Sequence, residues 1–156
     1  SSGKETFVKH IVNDNPADLI EDLGWEDKTV VASNDSLELI DGHLGETRDQ
    51  VLDGIPSLLA NNDVVLIKWQ HVDSGARRPQ RLKEVIPDAK HRIIELKVSM
   101  GELVLRLPRK HWWHDLGRER NHLNGELEML AASLDALPDF DRTVVDSSST
   151  SYRVTT

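Results

Sequence analysis

The chain has 156 residues, no cysteine, 19 basic and 27 acidic residues, and a formal net charge of −8 at pH 7. The lack of cysteine excludes a disulfide framework, a thiol nucleophile and cysteine-ligated zinc. No apolar run approaches the ~18 residues of a membrane span.

The length suits one globular domain, expected over 4–156, with enough chain to bury a core unaided. Ser1-Ser2-Gly3 reads as an expression-vector remnant. No secretory leader is recognisable, and with no cysteine this gives an intracellular, cytoplasmic expectation.

In chain order, residues 4–12 read as a short helix with Phe7, Val8, Ile11 and Val12 clustered, broken at Asn13-Asp14-Asn15. A second helix is expected next, with Asn15 as N-cap and Pro16 at the first helical position. Leu19, Ile20 and Leu23 form its apolar side, and Gly24 is a suitable C-terminal cap.

Thr29–Ala32 and Leu37–Ile40 read as two short strands across an Asn34-Asp35 turn. A helix from about Glu46 follows, carrying Val51, Leu52, Ile55, Leu58 and Leu59, with Pro56 kinking or splitting it. Val64 to Trp69 is apolar nearly throughout, the pattern of a central strand covered on both faces. After the loop Asp73–Arg78, Pro79 opens a short helix that Pro87-Asp88 ends.

The stretch His91–Leu137 reads as the organising element. Ile94, Leu96 and Val98 alternate with Ile93, Glu95 and Lys97, and Leu103, Leu105 and Leu107 alternate with Glu102, Val104 and Arg106. A period of two on each side of Met100-Gly101 predicts a β-hairpin. Leu116, Leu123, Leu127, Leu130, Leu134 and Leu137 then fall within roughly 80° of arc on one long helix. Pro138 stops that helix. Thr143–Val145 and Tyr152–Val154 either pair across the Ser/Thr-rich turn or leave 146–156 as a loose tail. The fold class these elements predict is α+β: a mostly antiparallel sheet of about five to seven strands, a long C-terminal amphipathic helix and shorter N-terminal helices.

Charge is unevenly spread. Residues 1–63 hold 14 acidic and 4 basic residues, residues 64–123 hold 7 and 13, and residues 124–156 hold 6 and 2. The central segment is therefore basic, and it contains five of the seven histidines and three of the four tryptophans. It either faces an anionic partner or complements the acidic flanks within the fold.

Four constellations could carry chemistry. Arg77, Arg78, Arg81 and Lys83 gather at a helix start, with Lys90 near in sequence, where backbone N–H groups and the helix dipole favour an anion. No Walker-type or G-x-G-x-x-G loop accompanies them. Pro87-Asp88 followed by Glu95-Leu96-Lys97 resembles the PD-(D/E)xK nuclease family. That resemblance implies Asp88 and Glu95 holding Mg²⁺ and Lys97 acting on the attacking water. His111 and His114, one helical turn apart, could share a zinc or nickel ion, with His122 too far along to join; the simpler reading is an exposed polar face.

The fourth is Gly24-Trp25, Val30-Val31 and Leu37–Leu44, which resembles the centre of the ParB/sulfiredoxin-like family and implies DNA or nucleotide binding. Gly45 stands where that family places its phosphate-binding arginine, and this reading is not adopted.

The function expected is a non-enzymatic binding module. Its basic segment, 64–123, contacts an anionic partner, a nucleic acid or an acidic protein surface, through Arg77, Arg78, Arg81, Lys83 and Lys90. The alternatives are a Mg²⁺-dependent nuclease and an assembly subunit that binds protein without nucleic acid. Homo-oligomerisation stays open, and no cofactor is expected outside the nuclease reading.

Overall fold

A computed structural model of the chain describes residues 3–36, 54–68, 77–99, 102, 128, 140–149 and 151–155. The chain divides into two compact units, Glu5–His91 and Arg92–Thr156, the latter joined by Ser1–Lys4.

In the first unit, helix α1 (Lys4–Lys9) runs on into a π-helical turn, His10–Asp14. That turn ends at Asn15, whose φ of 46° is left-handed; asparagine tolerates this region better than most residues. Asn15 therefore closes the first helical segment instead of capping the second. Pro16 takes the N-cap position of α2 (Ala17–Asp22), with its carbonyl accepting the Ile20 N–H at 2.9 Å.

The end of α2 follows the sequence reading. Gly24 has φ +78°, its N–H donates to the Glu21 carbonyl, and the Trp25 N–H donates to the Ile20 carbonyl. These two bonds are a Schellman cap. They turn the chain so that Leu23 and Trp25 are buried with Leu19 and Ile20.

Strand β1 (Val30–Ser36) continues through Asn34-Asp35, where a turn was expected. Residues 54–61 are helical (α3), and β2 (Val64–Lys68) follows. β1 and β2 pair in parallel, Val30 with Val64 through Ala32 with Leu66. The register shifts between Ala32 and Ser36, where β1 bulges.

Parallel strands need a crossover between them, and α3 lies in this one. Pro56 falls early in the described part of α3, and Ile55 beside it is buried. The side-chain amides of Asn61 and Asn62 bond back to the carbonyls of Ser57 and Leu58, occupying acceptors that the helix end leaves open.

The amino ends of the pair are locked by Thr29 and Asp63. The Asp63 carboxylate accepts the Thr29 backbone N–H at 2.9 Å and its hydroxyl at 3.1 Å, while the Asp63 N–H donates back to Thr29. The π-helical turn packs against β1. Among the described residues of this unit, Phe7, Ile11, Leu19, Ile20, Leu23, Trp25 and Ile55 are buried, as is Pro79. α4 (Arg77–Val85) and a turn at 86–89 follow among its described residues.

The second unit holds β3 (Arg92–Lys97), β4 (Asp141–Asp146) and β5 (Arg153–Val154), in that sheet order. β3 and β4 run parallel, from Arg92 opposite Asp141 to Lys97 opposite Asp146; β5 returns antiparallel, with Val145 opposite Val154. Ser147 extends the ladder, its N–H donating to the Lys97 carbonyl at 2.8 Å. Thr143, Val145 and Ser147 are buried, so from Thr143 onward every second residue faces a core, while Asp141 at the strand's start is exposed.

The expected fold is corrected in three respects. The described strands form two small sheets, of two and three strands, instead of one sheet of five to seven. Two of the three strand pairings are parallel, so the sheets are not mostly antiparallel. In the second strand of the expected hairpin, Glu102 is the one described residue and it is helical; Met100, Gly101 and 103–107 lie outside the described residues.

Ser99-Met100-Gly101-Glu102 instead carries the S-x-x-E spacing of a helix start. The Glu102 N–H donates to Ser99 Oγ at 3.2 Å, and the Ser99 N–H is taken by Ser148 Oγ at 2.9 Å. No long C-terminal helix is present among the described residues. The leucine stripe from Leu116 to Leu137 lies outside them, and Glu128, the one described residue in that span, is helical and exposed.

Candidate functional site

All five expected anion-binding residues fall in the first unit, whereas the basic segment 64–123 is split between the two. α4 begins at Arg77, two residues before the expected start, with Pro79 inside the first turn. Proline is tolerated there because those N–H groups have no intrahelical acceptor.

At about 100° per residue, the backbone positions of Arg77, Arg81 and Arg78 span about 100° of arc. Buried Pro79 lies about 160° from Arg77 and from Arg81, while Gln80 and Glu84 are exposed. Lys83 is half-buried and lies about 40° from Pro79, so the helix carries it away from the arginine arc. Lys90 is exposed beyond the turn at 86–89. The backbone of α4 thus places three of the five residues on one arc and Lys83 away from it, with Lys90 beyond the helix. Glu84 stands at the edge of that arc, one turn from Arg81.

The nuclease-like trio is placed differently. Asp88 is exposed in a turn of the first unit, while Glu95 and Lys97 lie on β3 in the second. Glu95 and Lys97 share a face, as the alternation predicts. The Glu95 side chain is only 11% exposed, and its Oε2 accepts both Nε (3.0 Å) and Nη2 (2.5 Å) of Arg142. Arg142 stands opposite Ile93 in the ladder, two positions along from Glu95, so the pair bridges β3 and β4 diagonally. The Glu95 Oε2 is therefore taken up by Arg142 within the sheet.

The acid that does stand beside Lys97 is Asp146, its register partner on β4. Its carboxylate caps the following turn by accepting the Ser148 N–H at 3.0 Å. Hydrogen bonds from the Ser148 backbone and side chain hold its pKa below the usual aspartate value, with a smaller contribution from the Arg153 charge. Asp63 is lowered in the same way by Thr29.

His111 and His114 lie outside the described residues. Among those described, no group of three or more histidines, aspartates or glutamates is placed to hold a metal ion, and no helix is long and apolar enough to cross a membrane. Of the segment resembling the ParB/sulfiredoxin-like family, Gly24 ends a helix and Val30-Val31 begin a strand, while Leu37–Leu44 lie outside the described residues.

Sequence reasoning passed over Arg142 because it sits in the acidic C-terminal third, and over Asp146 because it borders a serine-rich turn. Their proximity to Glu95 and Lys97 follows from the β3–β4 pairing and has no local signal. Compared with known proteins, the chain matches no family model, no curated protein and no solved structure.

Proposed function

We propose that the protein is a non-enzymatic binding module whose basic central segment contacts an anionic partner, a nucleic acid or an acidic protein surface. The observation that carries this reading is the arc of Arg77, Arg78 and Arg81 on α4, set away from buried Pro79. Arginine suits such a role because its planar guanidinium grips phosphate or carboxylate oxygens in pairs. Lys90 adds positive charge beyond the helix, and Lys83 contributes less directly. Contacts of this kind supply affinity and register rather than sequence choice.

Glu95, bound by Arg142, has a structural role in this reading. The test is fluorescence anisotropy with labelled single- and double-stranded DNA and RNA, and with an acidic peptide, at low salt with and without Mg²⁺. Saturable binding of any of these that needs no Mg²⁺ supports the module. A labelled nucleic acid that shortens only with Mg²⁺ replaces it with an enzyme. No binding to any probe at low salt refutes it.

A further inference from the structure

We draw no further inference here: the strongest candidate, the arginine-bearing start of α4 that follows Lys68 at the carboxyl end of the β1–β2 pair, belongs to the binding surface already proposed and rests on a helix N-terminus with no second observation among the described residues that points to a ligand.

Discussion

Replacing Arg142 with methionine removes both donors from Glu95 while keeping most of the apolar stem. The cost follows from burial. An exposed ion pair contributes ~0.2–1 kcal/mol, and removing one partner from a fully buried pair costs ~3–5 kcal/mol. Glu95 is 11% exposed and Arg142 29%, so Arg142→Met falls between these limits, at about 2–3 kcal/mol. Glu95→Leu costs less, about 1 kcal/mol, because the more exposed guanidinium can turn to water. The double variant packs beside Ile93 and Val144, which lie on the same face of the sheet. It recovers to within about 1 kcal/mol of the parent, as apolar replacements of buried pairs commonly do. Urea denaturation of the four proteins gives the coupling energy directly. If Arg142→Met costs under about 0.5 kcal/mol and the two substitutions are additive, the pair does not hold β3 to β4 and the argument fails.

Three further predictions concern the first unit. Leu23→Ala, at a site 2% exposed, should destabilise by ~2–5 kcal/mol in the same denaturation assay; a loss under about 1 kcal/mol would mean Leu23 is not in a packed core. At Gly24 a new Cβ meets nothing within 4 Å, but φ is +78°. Gly24→Ala should therefore cost ~1–2 kcal/mol through backbone strain alone, and an unchanged midpoint would contradict the left-handed cap. Asp63 has a pKa lowered by Thr29, so its contribution is fully present above the unfolded value of about 4 and is lost as pH falls through the lower folded value. Asp63→Asn should flatten the loss of stability in that acid window, and superimposable acid-unfolding profiles would rule the interaction out.

Local chemistry in the sequence located many of the elements, but not their partners. The alternation around Ile94 and Leu96 marks a strand, and β3 is there. Gly24 marks a helix end, and the Schellman cap is there. Thr143–Val145 and Tyr152–Val154 fit either a strand pair or a loose tail by their sequence alone; β4 and β5 pair.

Glu102 was misread as strand because Ser99–Glu102 fits two local patterns at once: a glycine-containing turn between alternating runs, and the S-x-x-E start of a helix. Which pattern wins at Glu102 depends on contacts made far along the chain, among them the Ser148 hydroxyl that takes the Ser99 N–H. The same limit explains the missed parallel order of β1 and β2, since alternation sets which face a residue takes and not which strand lies beside it. For the candidate site, the cationic residues were legible from composition. Their division was not, because it depends on the helix starting at Arg77 and on Lys83 lying near Pro79.

The most direct test of the binding account is the salt dependence of nucleic-acid affinity for the parent and for the Arg77→Ala/Arg78→Ala variant. The account predicts that the parent's log K falls steeply and linearly with log salt, by about 0.9 per phosphate neutralised on duplex DNA. The variant should bind more weakly with a slope shallower by about 1–2, while its urea midpoint stays unchanged. Equal slopes for the two proteins, with binding intact, would show that the anion is held elsewhere and would contradict the role assigned to α4.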